Sequence, residues 1–372
     1  MSKVSLHYGN TQAVIDLQGG QICSFKGLNG REVIWQADPA AWDQHAPLLF
    51  PVCGACKDGK VMINGESYDM PKHGFTRANP LMKVAAKGED YIDLVLEDSE
   101  ETRKVYPFHF AFHVRYSLYE NGFRTEFVVE NKDEKTMPMC VGGHPAFNCP
   151  MEEDAKFEDY DLVFPEKEEG RVCVVSQNGS LDGTEILPFF RGNVMPLSHA
   201  EIDKRDSLLF TTLRSRSVYL VNRHTGRGLT VEFPKMEALA VWSPTGKNAD
   251  FICLEPWHGT PAQADESGCF VSTNAGEVVS SNTGAEAISV EDSSTGGRKD
   301  CCSGTMESPR SAAILAMMPD LSRPAPSTIC CSRASFRNWS TVMDCSSVRV
   351  MGKTSSLNEV FGLTQWPRMT IL

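Results

Sequence analysis

No stretch of this 372-residue chain approaches the roughly 18 consecutive apolar residues of a membrane-spanning helix, so none is expected. Positive charge is in short supply. Lys and Arg number 36 against 48 Asp and Glu, which leaves a net charge of −12 and a pI near 5.3. That balance argues against nucleic acid or an anionic membrane as the main partner. The opening Met-Ser-Lys-Val-Ser-Leu-His-Tyr lacks the apolar core of a signal peptide, so cytoplasmic residence is expected. Long helical periods are absent, and no internal repeat is visible.

A completed metal-binding cysteine pattern is lacking too. The chain has 13 cysteines, but it is long and no secretory leader is expected, so a disulfide framework is not expected either. Cys53-Gly54-Ala55-Cys56 has CxxC spacing without a second CxxC or a nearby histidine pair. Seven cysteines (Cys23, Cys53, Cys56, Cys140, Cys149, Cys173 and Cys253) are scattered, mostly among apolar neighbours, and read as small buried hydrophobes. His109 and His113 stand at i,i+4, which suits a metal on a helix, but His113 opens a strand. No metal is expected.

The character of the chain changes near residue 270. Residues 271–372 hold 18 serines against 14 in the preceding 270, with no histidine or tyrosine. Such Ser-, Gly- and Pro-rich sequence with poor apolar periodicity is expected to be disordered. Two parts follow: residues 1–270 as one domain, and 271–372 as an atypical Ser/Cys-rich tail. No strand is read after Gly268-Cys269-Phe270, which would leave the neighbouring strand of a sheet unpaired.

The first part reads as β structure. Residues 113–119 and 123–130 alternate polar and apolar around Glu120-Asn121-Gly122, and Asn-Gly between such runs is a strong hairpin signal. Asn-Gly recurs at Asn29-Gly30 and Asn64-Gly65. Residues 217–222 and 228–233 flank another turn, and 91–97 alternate again. Ser198-His199-Ala200-Glu201 has a capping-box pattern and predicts a short helix ending near Arg205. Many short strands joined by tight turns imply an all-β antiparallel sandwich or barrel.

Two backbone-constrained groups point to chemistry. In Phe251-Ile252-Cys253-Leu254-Glu255-Pro256-Trp257, strand alternation puts Phe251, Cys253 and Glu255 on one face and Ile252 and Leu254 on the other. Pro256 cannot donate to the ladder and is expected to end the strand, leaving Glu255 facing a cleft or solvent. Trp257 beside it offers a flat ligand face or a core filler. In Val141-Gly142-Gly143-His144-Pro145, the glycines permit unusual backbone angles and Pro145 pushes His144 out of the α region. A histidine so oriented, with an ordinary pKa near 6.5, suits proton transfer, though it could be a satisfied core residue. Pro71-Lys72-His73-Gly74-Phe75-Thr76-Arg77 adds a histidine and a guanidinium, the latter fit for hydroxyls, a phosphate or a surface ion pair. Asp206 could accept from sugar hydroxyls or merely cap.

These pieces resemble the aldose 1-epimerase (galactose mutarotase-like) family, nearest its LacX-like branch. The resemblance rests on Ala46-Pro47-Leu48-Leu49-Phe50-Pro51-Val52-Cys53-Gly54, His73-Gly74-Phe75-Thr76-Arg77, Gly143-His144-Pro145-Ala146-Phe147-Asn148, Asp206-Ser207-Leu208-Leu209-Phe210 and Leu254-Glu255-Pro256-Trp257. Their order holds across about residues 5–268. The resemblance implies a large antiparallel β-sandwich, the galactose mutarotase-like supersandwich, with a sugar cleft. It implies His144 as general acid, Glu255 as general base and His73 as a second active-site histidine. Arg77, Asp206 and Trp257 would contact substrate. Opening and reclosing a pyranose needs one acid and one base, so no cofactor, metal or nucleotide is expected. A glycosidase would usually want two carboxylates, and only Glu255 stands in a recognisable motif. The expected activity is mutarotation of a free hexose. A hexose-6-phosphate mutarotase is the alternative within that chemistry, and a non-catalytic sugar-binding protein the alternative outside it.

Overall fold

Alternating burial in the computed structural model explains why these segments become strands. In Phe110–Tyr119, Phe112, Val114, Tyr116 and Leu118 are buried while the residues between them are half-exposed. Tyr91–Glu97 behaves likewise, with Ile92, Leu94 and Leu96 inside. The structure describes residues 3–176, 179–261, 271–273 and 278–288, all within one compact unit. The Ser/Cys-rich stretch beyond Ile288 lies outside the described residues.

Two antiparallel sheets dominate. The first has nine strands in the order Val194–Pro196, Tyr160–Val163, Ser217–Asn222, Gly228–Glu232, Val278–Ile288, Gly122–Asn131, Phe110–Tyr119, Tyr91–Glu97 and Lys83–Lys87. The second runs Leu181–Ile186, Arg171–Val175, Ser207–Phe210, Ala238–Trp242, Phe251–His258, Val141–Gly143 and Leu48–Leu49, with Ala146–Asn148 also on the Phe251–His258 strand. Side chains from both meet in one core: Phe112 and Phe127 from the first, Leu208, Val241, Ile252 and Leu254 from the second. Burying each such side chain is worth about 1.5–3 kcal/mol. The fold is an all-β antiparallel sandwich, one of the two architectures that the turn and strand pattern allowed and the one that the resemblance implied.

The hairpins fall where the sequence put them. Tyr119 pairs with Gly122 around a left-handed Asn121 (φ 60°), and Ile63 with Glu66 around Asn64 (φ 51°) and Gly65 (φ 85°). Positive φ at such tips is what Asn and Gly tolerate. The expected helix forms at His199–Asp203, with the Ser198 hydroxyl accepting from the Glu201 amide. A second helix, Glu100–Val105, was not foreseen; Ser99 and Thr102 cap it reciprocally.

Two strand expectations need correction. Strand structure does not end near 270: Val278–Ile288 enters the middle of the nine-stranded sheet, pairing with Gly122–Asn131 on one side and Gly228–Glu232 on the other. Nor does Pro256 end its strand, which continues to His258. Leu254 donates to the Pro145 carbonyl, so alternate residues of this strand, including Pro256, turn their nitrogens towards that neighbour. Across from Pro256 stands Gly143, the last residue of Val141–Gly143, and the break before Ala146–Asn148 falls opposite Glu255 and Leu254. The proline removes one ladder donor, and the pairing of Trp257 and His258 with Gly142 and Val141 carries the strand past it.

Candidate active site

The interruption in that neighbouring strand presents the histidine. His144 and Pro145 bridge the break, and the His144 amide donates to the Pro47 carbonyl at 3.0 Å, towards Leu48–Leu49. Gly142 and Gly143 do not use positive φ here, contrary to expectation. Gly142 is needed for close approach instead. A Cβ there would lie 2.7 Å from Trp257 Cδ1 and 2.9 Å from the Pro256 carbonyl oxygen.

Along Phe251–His258 the expected split of faces holds. Ile252 and Leu254 enter the inter-sheet core, whereas Cys253, Glu255 and Trp257 point to the opposite face of the eight-stranded sheet. That face floors a cleft of about 1090 Å³, lined by His73, Arg77, His144, Asp206, Glu255 and Trp257. All six residues singled out in the sequence therefore border one cavity. At its floor His144 Nε2 lies 3.2 Å from Glu255 Oε1, and the residues are only 7% and 2% exposed. Glu255 Oε2 has no hydrogen-bond partner among the described residues.

Burial governs the protonation of this pair. It depresses the His144 imidazole to about 3, and the Arg77 and Lys72 cations push the same way. It raises the Glu255 carboxyl well above its usual range, with Lys72 opposing. Each shift disfavours a lone charge, so burial favours the uncharged pair, with one proton between the two groups.

His73 is held differently. Its backbone is left-handed (φ 67°), and Gly74 follows at φ 76° because a Cβ there would sit 2.0 Å from the Phe50 carbonyl oxygen. The Gly54 amide donates to His73 Nδ1 at 3.1 Å. Nδ1 is therefore the acceptor, and Nε2 carries the hydrogen. Burial, then His144, Lys72 and Arg77, keeps the ring neutral by lowering its pKa well below the usual value. The rings of His73 and His144 meet edge to face, 5.3 Å between centroids.

The remaining side chains build the walls. Arg77 donates through Nε to Gln44 Oε1 at 2.7 Å and is half-buried. Asp206 sits exposed at the rim, left-handed at φ 62°, accepting from Thr245 Oγ1 at 3.3 Å. Sequence reasoning missed three wall residues: Trp42, Lys72 and Trp242. Trp42 stacks on His144 with centroids 5.0 Å apart, and Trp242 meets the same ring edge-on at 5.5 Å. Trp42 lies outside any alternating run, so no periodic signal marked it. Lys72 adjoins His73, and that adjacency was the available clue.

The comparisons with known proteins agree with this architecture. The LacX protein, plasmid form, of Lactococcus lactis subsp. lactis is 35% identical over 258 residues, covering 67% of this chain and 85% of the relative. A galactose mutarotase-like protein from Lactobacillus casei superposes with a TM-score of 0.72 at 27% identity, covering 77% of this chain and all of that one. A galactose mutarotase related enzyme from Lactobacillus acidophilus also gives 0.72, at 30% identity, covering 78% and 99%. The family model for aldose 1-epimerase matches residues 2–285, and the chain belongs to that family of isomerases.

Proposed function

We propose that the protein interconverts the α and β anomers of a free hexose, with Glu255 as general base and His144 as general acid. The observation that carries this reading is the 3.2 Å approach of His144 Nε2 to Glu255 Oε1 on the floor of the cleft. The ring oxygen and the anomeric hydroxyl share one carbon, so a base for one and an acid for the other must stand close together. An anomeric hydroxyl donating to the unpartnered Glu255 Oε2 favours the ionised carboxylate and moves the shared proton onto His144. Glu255 then takes the hydroxyl proton while His144 protonates the ring oxygen, and the C1–O5 bond breaks. The open aldehyde turns about C1–C2. The same groups run in reverse close the other anomer. Each group contributes about 10²- to 10⁴-fold. His73, a neutral Nε2–H donor, and Trp257, with its apolar face, orient the ring, while Arg77 and Asp206 receive outlying hydroxyls.

Polarimetry of fresh α-D-glucose and α-D-galactose tests the reading, with Glu255→Gln alongside. Acceleration by the wild type and its loss in the variant are expected. No acceleration by folded protein on either sugar or on a phosphorylated hexose would refute it. One observation favours a second substrate class: Lys72 and Arg77 both border the cleft and could take a 6-phosphate. A kcat/KM for glucose 6-phosphate well above that for glucose would select it.

A further inference from the structure

One buried group beside the acid–base pair has no part in mutarotation. Cys253 is two residues before Glu255 on the same face of the Phe251–His258 strand, and it is fully buried. Its backbone partner across the ladder is Ala146, two residues after His144. Strand alternation and the broken neighbouring strand thus bring thiol, carboxyl and imidazole together. Their ligand atoms all lie within 4.8 Å of one another.

We propose that His144, Cys253 and Glu255 form a latent site for a divalent cation of the zinc class, whose occupation switches the enzyme off. The donor set is the reason for the metal class. One imidazole nitrogen, one thiolate and one carboxylate oxygen suit zinc, whereas calcium and magnesium want oxygen ligands alone. Charge balance allows the burial: the thiol and the carboxyl each release a proton to solvent, and their two negative charges offset the cation's two positive ones. Tetrahedral bonds of this kind hold ligand atoms about 3.5 Å apart, so a triad within 4.8 Å must contract by at most about 1.3 Å. The His144–Glu255 edge is already at 3.2 Å. Glu255 Oε2, buried and unpartnered, supplies a free lone pair, and the cleft above supplies water for the fourth position. Trp42 and Trp242, packed around Cys253, shield the thiol from bulk solvent.

Occupation would use the lone pairs that proton transfer needs, so inhibition follows if His144 and Glu255 carry the chemistry proposed above. Binding itself does not depend on that reading. Cobalt(II) is the probe for binding: titrated into the metal-free full-length protein, it should give one equivalent of thiolate-to-cobalt absorption that zinc abolishes. Cys253→Ala should lack the band and keep its metal-free mutarotation rate. The zinc concentration for half-inhibition should rise at least about 100-fold, the upper loss for an outer-shell partner alone. Absence of the band in folded wild type, or its persistence in Cys253→Ala, would overturn the site. A wild type that shows the band yet no metal-free activity would overturn the mutarotase reading and leave the site standing.

Discussion

Glu255 Oε1 and His144 Nε2 are 3.2 Å apart, one carried by an unbroken strand and the other by the gap in its neighbour. The two groups are one proton-handling unit, and their removal should show it. Glu255→Gln and His144→Gln should each lower kcat by about 10²- to 10⁴-fold. The double variant should be little worse than the poorer single one, because groups acting together are not additive. Strictly multiplicative losses in a polarimetric assay would show that they act separately.

The same pair should cost stability. Glu255 has a folded pKa raised above 4.5 by burial. Its contribution is therefore intact below the unfolded pKa and declines as pH rises from there until the folded carboxyl itself ionises. Glu255→Gln removes the titrating group, so its melting temperature should exceed that of the wild type at pH 8. The gap should close towards pH 4. Calorimetry at the two pH values decides; a variant less stable at pH 8 would contradict the burial penalty.

His144 works in the opposite direction on the acid side. Its folded pKa is lowered to about 3 by burial. The stability of a neutral buried imidazole is present above pH 6.5 and is lost progressively as pH falls from there towards about 3. His144→Gln should unfold at a lower pH than the wild type in an acid titration followed by near-ultraviolet dichroism. Equal midpoints would mean that the ring is solvated.

His73 should be a fixed-tautomer donor. With the Gly54 amide on Nδ1, nitrogen NMR should find the Nε2–H form, uncharged, across pH 6 to 8. His73→Phe should lower kcat/KM about tenfold, the worth of one hydrogen bond near the upper end of the usual range. A protonated ring at pH 7 would remove this role.

Much of this was legible because strands write their faces into sequence with a period of two. Position parity alone separates Cys253, Glu255 and Trp257 from Ile252 and Leu254, and the Asn-Gly tips mark the hairpins. What stayed hidden depends on partners distant in the chain. The reason for Gly142 is the Trp257 ring across the ladder, and Pro256 is tolerated because pairing with Gly142 and Val141 resumes beyond it. Trp42 reaches His144 from a segment without periodicity. The Val278–Ile288 strand begins in serine-rich sequence, where composition suggested disorder, and its place is defined by the two strands it joins.

That closing strand makes a sharp prediction about where the domain ends. Residues 278–288 fill the space between Gly122–Asn131 and Gly228–Glu232. Removing them leaves two facing edges with unpaired backbone groups, a template for association between chains. A chain ending at Phe270 should therefore aggregate, whereas one ending at Val290 should match the full chain in solubility and mutarotation rate. Size-exclusion chromatography and polarimetry on the three proteins separate the possibilities. Monodisperse, active protein from the shorter chain would mean that the sandwich closes without its last strand. Failure of the chain ending at Val290 alone would place a stabilising role in residues 291–372.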